Sequence, residues 1–211
     1  MMSQHTHFYE PQNGHGLAHD PFKAIIAPRP IGWISSRSRE GVDNLAPYSF
    51  FNAFANTPPI IGFASVGWKD SVRNIQETGE FCWNMTTRTL AEKMNQSCAP
   101  VPPDVSEFEH SGLTAVESKL VNVARVAEAP VSFECKLTQL IQLQNASEDA
   151  LDNWLVLGEV VGVHINNTYL KDGVFQTVQA QPVMRAGGPS TYFGISELTE
   201  FDLFRPQYPL D

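Results

Sequence analysis

Two segments in the second half of the chain alternate apolar and polar residues with a period of two, and this pattern does most to limit the fold. Across residues 131–137, Val131, Phe133, Cys135 and Leu137 fall on one side, with Ser132, Glu134 and Lys136 on the other. Across residues 155–165, Leu155, Leu157, Val161, Val163 and Ile165 share a side with Glu159, opposite Gly158, Gly162 and His164. Successive side chains of a strand point to opposite faces, so both segments read as strands. The first is expected to turn its apolar set inward and Ser132, Glu134 and Lys136 outward.

Shorter segments upstream extend the pattern. Residues 31–37 read as a strand with Ile31 and Trp33 on one face and Gly32 and Ile34 on the other, and residues 45–49 as a second. Residues 59–66 form a continuous apolar run, expected to be a strand buried on both faces, and residues 81–86 form a fourth strand. Residues 50–56, rich in aromatics, read as a helical or looped corner. Helical signals are few. Asp20-Pro21 opens a turn through residue 27; Asp70 or Ser71 caps a helix that Gly79 ends; residues 90–97 are amphipathic. Residues 100–112, with three prolines, read as a long surface loop. Asp172-Gly173 marks a turn, and residues 186–190 form a glycine-containing loop. The expected architecture is mainly β: about six antiparallel strands with a few short helices, closed or partly closed into a barrel. No regular strand–helix alternation supports a doubly wound parallel sheet. Residues 1–19 read as an arm and residues 20–211 as one domain.

A chain of 211 residues can bury roughly 70% of the surface it exposes when unfolded, so it needs no disulfide or metal staple. Its formal net charge of −9, with no run of Lys or Arg, argues against nucleic acid and anionic membrane as partners. Cys82, Cys98 and Cys135 are odd in number, lack metal or disulfide spacing, and read as inert thiols in a reducing compartment. The polar N-terminus has no secretory core, and the apolar stretch at 59–68 is too short to span a bilayer, so a cytoplasmic location is expected. His5, His7, His15 and His19 lie in or beside the arm and read as solvated, and no metal site is assigned.

Three segments carry residues suited to an anionic aromatic ligand. The first, residues 29–36, contains Trp33 and ends in Ser35 and Ser36. The second, residues 44–52, sets Tyr48, Phe50 and Phe51 among Ala46, Ser49 and Asn52. The third, residues 69–74, places Lys69, Ser71 and Asn74 at a helix start. Helix N–H groups, hydroxyls and a cation together make a phosphate cradle. Neither a GxGxxG nor a Walker sequence is present, so no Rossmann dinucleotide site or P-loop is indicated. Taken singly, these serines also fit solvent-facing strand positions or a helix cap, Lys69 a surface charge, and the aromatics a core.

The chain resembles the flavin-reductase-like, FMN-binding split-barrel family from about residue 20 to residue 192. The resemblance rests on PRPIGWISS at 28–36, NLAPYSFFNAF at 44–54, KDSVRN at 69–74 and the RAGG-to-Tyr stretch at 185–192. EFEHSGLT at 107–114, VARVAEAPVSFEC at 123–135 and LGEVVGVHI at 157–165 add to it, all in order. It implies a six-stranded antiparallel split barrel that forms a homodimer, with FMN near the dimer interface. It also implies that Ser35, Ser36, Lys69, Ser71 and Asn74 hold the phosphate and ribityl chain, and that Trp33 belongs to the cofactor-binding set. Ala46, Ser49, Phe50 and Asn52 would border the isoalloxazine, with Arg185 and Tyr192 closing the site.

The activity this implies is flavin reduction by NADH or NADPH. Hydride passes directly from nicotinamide C4 to flavin N5, so no side-chain acid or base is required and no catalytic residue is assigned. His164 and Glu159 read as structural or interface groups. Two other readings stay open: an FMN-bound electron carrier serving a protein partner, and an FMN enzyme reducing a small organic substrate.

Overall fold

The computed structural model describes residues 6–102 and 104–206; His5 lies outside them. One sheet dominates. Its strands, in chain order, are β1 (Gly32–Arg37), β2 (Asp43–Tyr48), β3 (Phe51–Asn56), β4 (Pro59–Val66), β5 (Glu80–Asn84), β6 (Val131–Gln144) and β7 (Ala150–Ile165). Every pairing is antiparallel, and the spatial order is β2-β1-β5-β6-β7-β4-β3. Among the described residues three small sheets of two or three short strands lie beside this one, which has seven strands, not six. The extra one is β3, which covers the segment expected to be a helical or looped corner. Phe51 is half-buried and the rest of β3 is exposed, so the sequence there lacks the buried–exposed alternation that marks a strand.

The order has a strong geometric consequence. β2 and β3 form opposite edges of the sheet yet are joined by only Ser49 and Phe50, which can span no more than about 10 Å. The sheet must therefore curl until its edges nearly meet. Gly32 sits at that seam. A Cβ there would lie 2.7 Å from the Phe51 ring, so only glycine lets β1 and β3 approach.

The curled sheet encloses one core and carries another outside. The inner core gathers Ile34, Tyr48, Ile61, Phe63, Phe81, Cys135 and Val156; after a one-turn helix α1 (Phe22–Ile25) ahead of the sheet, helix α2 (Asp70–Thr78) plugs this core with Val72 and Ile75. Gly79, in the left-handed conformation, ends that helix. The outer core contains Ile31, Trp33 and Leu45, packed under Met94 of α3 (Ala91–Gln96) and Phe108 of α4 (Glu107–His110). α4 lies inside the stretch expected to be surface loop. β1 thus contributes Ile34 to one core and Trp33 to the other, with Ile31 just before the strand joining Trp33, as period two requires.

Two other expectations change. Glu134 and Ser132 do not face solvent: both are buried, and Glu134 is completely covered. In β7 the covered positions are Val156 and Gly158, while Val163 and Ile165 are exposed; offsets in the β6–β7 register shift the alternation along the strand. Gly158 is needed because the Phe81 ring would lie 2.2 Å from a Cβ there. Among the described residues no helix is long and apolar enough to cross a membrane.

Candidate functional site

A cleft of about 470 Å³ opens where the edge of β2 meets the start of α2 and the residues after α3. Ala46, Pro47 and Tyr48 form one wall, Trp68, Lys69 and Ser71 another, and Ser97 and Cys98 a third. α2 begins after Lys69, and no side chain caps it. Its first N–H groups, which have no partner within the helix, are left for a ligand, and the helix dipole favours an anion there. Lys69 is exposed at this point and makes no ion pair among the described residues. Ser71 is thus not the cap. It sits inside the first turn, with its hydroxyl bound elsewhere.

That hydroxyl belongs to a network under the cleft. Ser71 Oγ donates to Asn44 Oδ1 at 2.7 Å, and Ser36 Oγ donates to the same oxygen at 3.3 Å. Asn74 Nδ2 donates to Ser36 Oγ at 3.3 Å. Asn44 Nδ2 in turn donates to Glu107 Oε1 at 2.9 Å, and Leu45 N–H donates to Glu107 Oε2 at 2.9 Å. Burial raises the pKa of Glu107. Asn74 Oδ1 is buried with no partner, and Asn74 lines a second cavity of about 10 Å³, room for one water. Leu45 N–H is taken by Glu107, and Pro47 has no N–H. This stretch of the β2 edge therefore presents carbonyl acceptors rather than donors.

The structure thus brings Ala46, Lys69 and Ser71 to one cleft and sets Ser36 and Asn74 in the layer beneath. It does not bring Ser35 or Trp33 there. Their side chains leave the other face of β1: Ser35 Oγ donates to Ala124 O at 2.6 Å, and Trp33 Nε1 donates to Ser97 Oγ at 3.0 Å. Neighbouring strand residues cannot point the same way, so Ser35 and Ser36 are not a matched pair of hydroxyls. Ser49 and Phe50 lie at the β2–β3 seam, where buried Arg29 donates to Ser49 O at 3.2 Å and sits 5.8 Å from the Phe50 ring centroid. Asn52 is exposed on β3, and its Oδ1 accepts from Ala53 N–H.

Arg185 folds back on its own loop. Its terminal nitrogens donate to the carbonyls of Ala186, Gly188, Pro189 and Thr191, and the guanidinium stands 5.0 Å from the Tyr192 ring centroid. Gly187 of this loop has a packing role: a Cβ there would meet Ala24 Cβ at 2.4 Å. Tyr192 lines a separate cleft of about 740 Å³ with Arg88, Asn95 and Phe193. The cysteines make poor nucleophiles. Burial pushes Cys82 up to about 12 and raises Cys135 well above its usual range; it also raises Cys98, against the pull of Arg185 and Lys69.

Glu134, away from the cleft, is held differently. It accepts from Lys119, Leu120 and Val121 N–H at 2.9, 2.6 and 3.1 Å, and its Oε1 lies 2.5 Å from His164 Nε2. Burial opposes its ionisation, but the His164 contact and these backbone donors prevail and hold its pKa at about 2. His164 thus has a structural partner.

Sequence reasoning assigned no role to Asn44 or Glu107, although they join the site's hydroxyls. Both stood inside quoted segments, but Glu107 also fell in a stretch read as surface loop, where a buried carboxylate is not expected.

Residues 26–183 match the family model described as the flavin reductase like domain, and the chain belongs to that family. It is 36% identical over 170 residues to an uncharacterized protein of Aquifex aeolicus, covering 78% of this chain and 83% of the relative. It superimposes on nitrilotriacetate monooxygenase component B from Bacillus cereus with a TM-score of 0.79 and 31% identity, covering 89% of this chain and 98% of the other. For the 2-nitrobenzoate 2-nitroreductase of Pseudomonas fluorescens the TM-score is 0.77 and the identity 29%, over 90% and 91% of the two chains.

Proposed function

We propose that this chain binds FMN in the β2–α2 cleft and catalyses flavin reduction by NADH or NADPH. One observation carries the reading: an uncapped helix start, with a lysine that makes no ion pair among the described residues, opens onto a cleft of about 470 Å³ with an aromatic wall, in a chain of net charge −9. An anionic ligand is repelled by most of this molecule and attracted at this point. The donor set suits a phosphate. FMN, when bound, accepts hydride at N5 directly from nicotinamide C4.

The chain's own residues then have defined tasks. Lys69 and the first N–H groups of α2 neutralise the phosphate. Ala46 to Tyr48 and Trp68 would form the wall for the ring system, and the β2 edge carbonyls would offer it acceptors. Asn44, Ser36 and Asn74 hold the floor. No proton has to be held or delivered by a side chain, which agrees with the raised thiol pKa values and with the engagement of His164 by Glu134.

We also propose a homodimer. β3 is a sheet edge that exposes Phe54 and leaves main-chain groups unpaired, and such an edge calls for a covering partner. Light scattering should give twice the mass of the chain; a monomer at micromolar concentration with FMN bound would contradict this. Three free cysteines suit a reducing compartment, and a cytoplasmic location is part of the proposal.

The activity is tested by purifying the protein, recording its visible spectrum, and following NADH and NADPH oxidation with and without added FMN. Flavin-dependent oxidation is expected. A protein without flavin colour or flavin affinity would defeat the proposal.

A further inference from the structure

Two serine hydroxyls under the cleft donate inward, to the same oxygen of Asn44. A hydroxyl has a single hydrogen. In this arrangement Ser71 cannot also donate to a phosphate at the start of α2. The direction of the Asn44 amide therefore decides what the site can offer an anion, and that direction is set by Glu107.

We propose that Glu107 is a positioning residue that sets, through the orientation of the Asn44 amide, whether the Ser71 hydroxyl donates inward or toward a bound phosphate. The inference rests on the reading of this cleft as the FMN site.

Donors and acceptors decide which way the amide turns. Ionised Glu107 can only accept. One oxygen takes Leu45 N–H, which the backbone fixes, and the other takes Asn44 Nδ2. Asn44 must then turn Oδ1 toward the serines, which spend their hydrogens on it. Protonated Glu107 still needs one acceptor oxygen for Leu45 N–H, so its new O–H faces Asn44. That amide can satisfy it only by turning Oδ1 toward Glu107. Nδ2 then donates to Ser71 Oγ, and the Ser71 hydrogen is free for a ligand in the cleft. The structure corresponds to the inward state. Glu107→Gln imposes the second state without a proton, because Gln must also keep its oxygen on Leu45 N–H and point its NH₂ at Asn44.

The charged surroundings allow Glu107 to titrate. It is buried, and Asp70 at the start of α2 raises its pKa further. Asp43 on β2 faces the same small cavity but is paired with Arg37 at 2.8 Å, and Arg73 there is paired with Asp70. Tyr48 on β2 lies against Ser71 and faces Glu107, but burial raises its pKa, so it keeps its proton and stays neutral. Lys69 lines the cleft above, and Glu109 and His110 follow on α4, both exposed.

The test measures FMN and riboflavin affinities, from mildly alkaline to mildly acidic pH, for wild type, Glu107→Gln, Ser71→Ala and the double variant. Taking the ratio of the two flavins at each pH removes effects on the ring site. Comparing variants at one pH removes the titration of the phosphate itself. In alkaline conditions Glu107→Gln should bind FMN about 3- to 10-fold tighter than wild type, with riboflavin unchanged. The gap should close as pH falls and wild-type Glu107 takes up its proton. The gain should be absent in the double variant, which separates a released hydroxyl from simple loss of a negative charge. Should Glu107→Gln fail to fold, wild type against Ser71→Ala suffices: the two should match at alkaline pH, with wild type the tighter FMN binder at acidic pH. An FMN-to-riboflavin ratio that neither substitution moves at any pH overturns the inference while leaving the FMN site standing, as does a gain that survives in the double variant. Wild type that binds no FMN overturns both.

Discussion

Glu134 and Glu107 are both buried glutamates, and their surroundings make them opposites. Glu134 meets three backbone N–H groups and His164. Backbone donors cannot turn into acceptors, so they hold the carboxylate ionised and tie the 119–121 loop to β6. Glu107 accepts from Leu45 N–H and from one side-chain amide, and its own N–H lies close enough to favour the charge. An amide can turn round, so the same residue type becomes adjustable. The pKa directions follow: about 2 for Glu134, raised for Glu107. Burial costs a charge the same in kind at both sites; the number of fixed donors decides the outcome.

The comparison can be broken at several points. Glu134→Ala should cost the most, about 3–5 kcal/mol, because it removes a buried acceptor from three backbone N–H groups, that of Val121 itself buried, and from an imidazole. A thermal or urea melt reads this directly, and a loss below about 1 kcal/mol would show that the network is not needed. Acid should act next. A carboxylate whose folded pKa is depressed stabilises the fold above its unfolded pKa and loses that contribution as pH falls through the folded value. Glu134 should therefore contribute about 3 kcal/mol that disappears between roughly pH 4.5 and pH 2. Urea melts across that range should lose this slope in a Glu134→Gln variant. His164→Gln, which leaves the three backbone donors in place, should cost only about 1 kcal/mol. Glu107→Gln should differ in sign. A raised carboxylate pKa means that stability falls as pH rises from the ordinary carboxylate range through the raised value, so above it a neutral isostere should melt no lower than wild type. A large drop in its melting temperature would contradict the contrast.

Much of this was legible in the amino-acid sequence, for identifiable reasons. The β1 faces followed from period two, because Ile31, Trp33 and Ile34 differ little in chemistry and only direction had to be found. Gly79 ended α2 because the left-handed conformation it adopts suits glycine. β3 was hidden because its apolar residues are exposed, so periodicity had nothing to register. Glu107 and Glu134 were hidden because polarity normally signals exposure, and their donors come from residues distant in sequence. Ser35 and Ser36 carry a different lesson. Their adjacency suggested a pair, yet the period that identified their strand already sent them to opposite faces. The phosphate cradle was legible only as residue types; the cleft that joins Lys69 and Ser71 to Ala46 depends on β2 reaching the start of α2.

The most direct test of the FMN site is the Lys69→Ala variant, assayed for FMN and riboflavin binding side by side. Loss of the ammonium at the uncapped start of α2 should weaken FMN by roughly 10- to 150-fold, since it removes one charge-assisted hydrogen bond. Riboflavin, which lacks the phosphate, should bind variant and wild type alike, and the melting temperature without flavin should stay the same. An unchanged FMN affinity, or an equal loss for riboflavin, would contradict the placement of the phosphate at this helix start.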